Sequence, residues 1–342
     1  MRNRTLLLST LVLGLIALGL AFTGREETRA PEPSRPLVPA ELLADLRAIE
    51  VTTGGKTARI ERTEGGWVVP SRFGLPVDAD NRLRPLLQSL RNAKSLGALT
   101  ADPRRIARLG FDGNSVRLEG AEGKVWSAEF GRTTDNGVGS AVRLTGAKEA
   151  MATNFLGYLE GDPANWINPV LFAAKPEEVR ALALTFPDGS KLRVERAKVG
   201  EPLGGVEPRL LAAAEDLLNY IVTVRATDAI ARGDAAANAA LAKPLVAEMT
   251  LWSGPTVTLR LARDHAAKPG EPPRGWLTVS HSDPKHPLNR QAETALFTSP
   301  PWLAEQVPAS ATEFAKRLDP PPADATPPGQ AEPAIQLIPA GR

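Results

Sequence analysis

The sequence predicts an α+β protein made of two tandem repeats of largely antiparallel sheet plus helix, placed behind an N-terminal transmembrane helix. Three observations carry that expectation. Short alternations of apolar and polar residues are joined by glycine-containing turns, the pattern of hairpins with one buried face. One leucine stripe at helical spacing follows the first hairpin in each half of the chain. The same order of elements recurs at an offset of 131 to 134 residues, which marks an internal repeat.

The chain has 342 residues, and Arg2 and Arg4 precede Leu6 to Phe22, seventeen residues without a charge. A bilayer core of about 30 Å needs roughly 20 apolar residues, and basic residues ahead of such a run keep the N-terminus cytoplasmic. Residues 1–23 are therefore expected to be a membrane anchor or signal. A candidate cleavage site at Gly19-Leu20-Ala21 leaves a cleaved signal peptide and an uncleaved anchor both open. Everything beyond is expected to be extracytoplasmic, with the protein in the cytoplasmic membrane as a single-pass chain. Residues 24–39 carry Pro31, Pro33, Pro36 and Pro39 and are expected to be an extended linker. Residues 319–342 hold seven prolines without a helical or alternating period and are expected to be a disordered tail.

The first repeat is expected over 40–172. Ile49, Val51 and Thr53 alternate with Glu50 and Thr52, turn at Gly54-Gly55, and return through Ala58 and Ile60. Leu83, Leu86, Leu87 and Leu90 then form a helical stripe behind the cap candidates Asp78, Asp80 and Asn81, with Pro85 near the first turn. A second hairpin runs from Val116 and Leu118 back through Trp126, Ala128 and Phe130, and Ala141 to Leu144 reads as a last strand.

The second repeat is expected over 173–318. Val179 to Leu184 turns at Asp188-Gly189 and returns as Leu192 to Arg196, which mirrors Ala58 to Arg62. The stripe Leu210, Leu211, Ala214, Leu217, Leu218 and Ile221 follows. Met249 and Leu251 return through Val257, Leu259 and Leu261, and Trp276 to Val279 closes the copy. Ala226 to Ala242 reads as alanine-rich helical filler.

Composition narrows the function. Lys+Arg number 41 against Asp+Glu 39, a formal charge of +2 that gives no field for gathering nucleic acid. The absence of cysteine removes disulfides, thiolate metal sites and cysteine nucleophiles. Gly54-Gly55-Lys56-Thr57 ends like a phosphate-binding loop but lacks the glycine that loop needs at position 50, and Gly137-Val138-Gly139 lacks the third glycine of a dinucleotide fingerprint. His281, Asp283 and His286 bring two imidazoles and a carboxylate within six residues, a candidate polar loop or metal-binding run. The six tryptophans mostly fall on strand positions or strand ends, which assigns them to core packing.

The one charge bias is basic. Arg82, Arg84, Arg91, Lys94, Arg104, Arg105 and Arg108 face a single acid, Asp102, across that stretch. They are the candidate interaction surface, for a partner protein, lipid headgroups or acidic glycan, with a solvated helix face as the plainer reading. No catalytic, cofactor or metal residues are assigned.

Several segments together resemble the domain of unknown function 4340 family: Gly66-Trp67-Val68-Val69-Pro70, Val77-Asp78-Ala79-Asp80, Leu109-Gly110-Phe111-Asp112, Phe130-Gly131-Arg132, and Asn165-Trp166-Ile167-Asn168-Pro169 leading into Pro176-Glu177-Glu178-Val179. The resemblance covers roughly residues 40 to 315. It implies a bacterial envelope protein associated with gliding-motility-type ABC transporters. The expectation is therefore a non-catalytic, membrane-anchored accessory or scaffold protein with transporter subunits as partners and no cofactor. A periplasmic glycan or small-ligand binding module is the alternative, and a hydrolase a more distant one.

Overall fold

The structure is a computed structural model that describes residues 34–133, 139–264 and 274–316. The expected anchor or signal at 1–23 and the expected tail at 319–342 lie outside the described residues. Among the described residues no helix is long and apolar enough to cross a membrane. The fold is α+β with antiparallel strand pairing, and it divides into two compact units, Met1–Asn168 and Pro169–Arg342. The division precedes the expected 172/173 boundary because Val170–Ala173 is already a strand of the second unit, paired with Thr223–Arg225.

The first unit contains β1 (Arg35–Pro36), β2 (Leu46–Thr53), β3 (Lys56–Thr63), β4 (Gly66–Val69), β5 (Leu75–Pro76), β6 (Lys94–Thr100), β7 (Ser115–Gly120), β8 (Val125–Thr133), β9 (Ser140–Leu144) and β10 (Ala150–Thr153). They form one sheet in the order β1-β6-β10-β9-β8-β7-β2-β3-β4-β5. The β2–β3 hairpin closes with Thr53 opposite Lys56, and Gly54 and Gly55 at φ 57° and 76° supply the left-handed pair that a tight hairpin turn requires. Ile49, Val51, Ala58 and Ile60 are wholly buried on one face, as the alternation predicts.

The leucine stripe forms the helix Arg84–Asn92, entered through a π-helical turn at Ala79–Leu83. The Asp78 carboxylate accepts the amide N–H of Asn81, so the cap sits at the first of the three acidic or amide candidates. Leu83, Leu86 and Leu90 are buried. Part of the stretch expected as linker belongs to the fold: β1 pairs with β6, and Leu37 and Val38 are buried.

The second unit contains β11 (Val170–Ala173), β12 (Val179–Thr185), β13 (Lys191–Glu195), β14 (Thr223–Arg225), β15 (Asp228–Ala231), β16 (Leu245–Leu251), β17 (Thr256–Arg263), β18 (Gly275–His281) and β19 (Ala295–Ser299). Its main sheet has the order β13-β12-β16-β17-β18-β19-β15, with β11 and β14 as a separate pair. The helix Pro208–Ile221 buries Ala213, Ala214, Leu217, Leu218 and Ile221. The stretch read as helical filler is corrected: it contains β15, which pairs with β19, and only Ala235–Ala240 is α-helical. Trp276 to Val279 is likewise not the last strand, because β19 follows it, just as β10 follows β9.

The two main sheets share a strand order. In the first unit, β3-β2-β7-β8-β9-β10-β6 are successive neighbours, and in the second β13-β12-β16-β17-β18-β19-β15 are. Each unit also places a short helix behind an aspartate cap. Asp102 accepts from the Arg104 amide ahead of Pro103–Ile106, and Asp234 accepts from the Ala237 amide ahead of Ala235–Ala240.

Candidate functional site

The seven basic residues do not lie on one helix face. Arg82 belongs to the π-helical turn, Arg84 and Arg91 to the helix Arg84–Asn92, and Lys94 opens β6. Arg104 and Arg105 lie on Pro103–Ile106, and Arg108 on the following 3-10 turn Ala107–Leu109. The reading as a single solvated helix face is thereby corrected, because a strand interrupts the run. All seven are on the first unit, and all but Arg82 are exposed. Arg84 pairs with Asp80 at 2.6 Å, and the Arg82 guanidinium sits 6.0 Å from the Tyr158 ring centroid. Arg91, Lys94, Arg104, Arg105 and Arg108 have no ion-pair partner among the described residues.

Two clefts lie among these segments, the first lined by Arg84 and Arg91 and the second by none of the seven. One, of about 470 Å³, runs along the helix beside Leu83 and Leu87 with Arg84 and Arg91 on its lining. The other, of about 510 Å³, has Pro103, Ile106, Ala107 and Phe111 as apolar lining, with Asp112, Arg143 and Lys148 among its polar groups. The Arg143 guanidinium lies 5.0 Å from the Phe111 ring centroid and is held by Glu129. Phe111 follows Gly110, whose φ of 67° is left-handed and whose missing side chain leaves room for Arg132. A Cβ on Gly131 would lie 2.3 Å from the Leu109 carbonyl oxygen. The segments Leu109-Gly110-Phe111 and Gly131-Arg132 therefore meet backbone to backbone, which fixes the ring at the cleft wall.

Elsewhere the ionisable groups with shifted pKa serve the fold. Lys56, at the β2–β3 turn, meets Asp162 at 2.5 Å, which raises the lysine and lowers the aspartate. Asp162 also caps Pro163–Trp166 through the Ala164 amide, a second cause of its lowered pKa. Arg59 bridges Glu61 and Glu119 across the sheet, lowering Glu119 together with Arg117. Asp188 is lowered by accepting from Ser190 in the β12–β13 turn.

His281 and His286 are brought together, with stacked rings 4.1 Å apart. His281 Nδ1 accepts from the Asp283 amide, and His286 Nδ1 accepts from the Leu288 amide to cap the helix Pro287–Thr294. Asn289 braces the turn by donating to the His281 and Asp283 carbonyls. These imidazoles are therefore committed to a turn and a cap. Among the described residues no group of three or more His, Cys, Asp or Glu side chains is arranged to hold a metal ion.

Trp126, Trp166 and Trp276 are buried, whereas Trp302 is exposed and faces Tyr220 at 6.0 Å between centroids. The sequence reading did not place Phe111, Arg143 or Lys148 at the site. In the sequence, an aromatic directly after a glycine and beside a basic run is a signal for Phe111, whereas its contact with Arg143 is set by the sheet. The family model described as "Domain of unknown function (DUF4340)" matches residues 67–244, just over half of the 342-residue chain. No curated protein and no solved structure matches the chain.

Proposed function

The chain belongs to the domain of unknown function 4340 family, and from that premise we propose that it is a non-catalytic, membrane-anchored accessory or scaffold subunit of an envelope ABC-transporter-type complex. The anchor is the charge-free run Leu6 to Phe22, and the bulk of the chain is extracytoplasmic. The first unit docks a partner subunit through its basic surface. The observation that carries this reading is the contrast between two sets of charges. Arg91, Lys94, Arg104, Arg105 and Arg108 are exposed and lack ion-pair partners among the described residues, while Lys56, Asp162, Arg59, Glu119 and Asp188 are tied into turns, caps and sheet pairs. Unpaired charge at a surface steers and orients a partner of opposite charge.

The two units are tandem repeats on the same proposal, supported by the shared strand order and by the offset of 131 to 134 residues. The test is affinity capture from gently solubilised membranes, comparing the full chain with one that begins at residue 34 and so keeps β1. Transporter subunits recovered with the full chain and lost without residues 1–33 are the expected result. Recovery of the full chain alone overturns the reading.

A further inference from the structure

We infer that the exposed pair Tyr220 and Trp302 on the second unit is a polyproline II binding surface, and that its occupant is the chain's own proline-rich segment, residues 320–328. The site belongs to a different unit from the basic surface and does not depend on the docking role proposed above.

The core does not need these two rings. The helix Pro208–Ile221 buries Ala213, Ala214, Leu217, Leu218 and Ile221, and Tyr220 falls outside that stripe with 37 % of its surface exposed. On the short helix Pro301–Ala304, Leu303 and Ala304 are wholly buried, whereas Trp302 is 41 % exposed and departs from the core packing expected of the tryptophans. The ring centroids lie 6.0 Å apart with planes tilted by 40°, which makes one continuous aromatic surface. Single exposed apolar side chains are ordinary, but two large rings in contact form a patch suited to an apolar ligand. Among the described residues neither the Tyr220 hydroxyl nor the Trp302 indole N–H takes part in a hydrogen bond. Each ring thus offers a donor beside its apolar body.

A polyproline II segment matches both features. Its rings supply apolar surface, and because it has no internal hydrogen bonds its carbonyls are free to accept from an indole or a phenol. Proline fixes φ, so the segment loses little conformational freedom on docking. The chain itself carries Pro320-Pro321-Pro322 and Pro327-Pro328. Its last helix, Ala311–Lys316, packs against the helix that bears Tyr220, with Phe314 buried against Phe186. The helix Pro208–Ile221 has 14 residues and is about 21 Å long. Pro328 lies twelve residues beyond Lys316, a span of about 37 Å as polyproline II. The proline clusters therefore reach Tyr220 wherever along that helix the last one packs. Tethering makes the docking intramolecular, which favours this segment over one in solution. The other proline-rich stretch is committed to the first unit, where Pro36 pairs with Lys94.

The experiment uses the full chain in mild detergent, labelled with fluorotryptophan and read by fluorine NMR, with Trp302→Phe assigning the Trp302 resonance. Because the chain has no cysteine, Ala325→Cys gives a single attachment point for a nitroxide between the two proline clusters. The oxidised nitroxide is expected to remove at least half the height of the Trp302 signal relative to the reduced one. Tyr220→Ser, or glycine in place of Pro320, Pro321, Pro322, Pro327 and Pro328, is expected to restore most of it. Without the nitroxide, the same five replacements are expected to move the Trp302 resonance and leave the other five tryptophans in place. Circular dichroism melts establish that each variant is folded. A Trp302 signal that ignores the nitroxide, or broadening indifferent to Tyr220→Ser and to the loss of the prolines, overturns the assignment. Broadening seen only when fluorinated chains are mixed with separate nitroxide-bearing chains assigns the surface to a second copy and overturns it as well.

Discussion

The backbone carbonyl of Trp166 accepts the amide N–H of Asp78 at 2.8 Å. This bond joins the Asn165-Trp166-Ile167-Asn168 segment to the entry of the helix Arg84–Asn92, and the Asn168 amide donating to Pro76 extends the same seam. The indole N–H of Trp166 donates to the Glu160 carbonyl, also at 2.8 Å, and the side chain is only 2 % exposed. Two sequence-distant motifs thus close the first unit together. Trp166→Ala opens a cavity and leaves the half-buried Glu160 carbonyl without its donor, so a loss of about 3–5 kcal/mol in the first unit's stability is expected. Urea denaturation read by circular dichroism measures it.

Gly131 faces the Leu109 carbonyl so closely that any Cβ is excluded without backbone movement. Gly131→Ala is expected to cost about 1–3 kcal/mol, as overpacking does. Gly233 has open space where its Cβ would point and no left-handed φ, so Gly233→Ala is expected to change stability by less than about 0.5 kcal/mol. The two variants, melted side by side, separate close approach from glycine content in general.

The stacked imidazoles make the second unit's stability depend on pH. His286 has its pKa lowered, first by burial and then by His281, with Asp283 opposing. A depressed histidine pKa means the unfolded chain binds more protons between the folded value and the ordinary 6.5, so stability rises with pH across that window. The contribution is fully present above about pH 6.5 and is lost as pH falls through the folded value. Protonation also removes the Nδ1 acceptor that caps the helix Pro287–Thr294. The melting temperature of the wild type is expected to fall between pH 7 and 5, and that of His286→Asn, which retains a capping side chain, to fall less. Equal slopes contradict this account.

Asp162 and Glu119 act in a lower window. Both are held below their ordinary values by cationic partners, first Lys56 and Arg59 respectively. Their stabilisation is present above the ordinary carboxylate range and is lost as pH falls through their lowered values. Lys56→Met is expected to shift the acid unfolding midpoint upward while changing stability at pH 7 little, because the lysine is largely exposed and solvent screens its pairing with Asp162. Acid titration followed by circular dichroism checks both halves of the statement.

What the sequence made legible was local. The turns at Gly54-Gly55 and Asp188-Gly189, the two leucine stripes and the Asp78 cap each involve residues a few positions apart, where turn chemistry and periodicity act directly. β6 was missed because Lys94-Ser95-Leu96-Gly97-Ala98-Leu99-Thr100 buries none of its side chains and so carries no core alternation. β15 was missed because its partner β19 lies some seventy residues away, and pairing at that distance leaves no mark in an alanine-rich stretch. The basic run was visible as composition, but its division between a helix, a strand and a second helix was not. Neither was the cleft, since Phe111 meets Arg143 only once β8 and β9 have placed them side by side.

The most direct test of the proposed docking role reverses the charges that lack partners. Full chains carrying Arg91→Glu, Arg104→Glu, Arg105→Glu and Arg108→Glu together are to be captured from native membranes beside the wild type, with proteins quantified by mass spectrometry. These side chains are exposed, so the variant is expected to melt as the wild type does and to lose at least nine-tenths of its co-purifying transporter subunits. Undiminished recovery of those subunits with the charge-reversed chain would contradict the account.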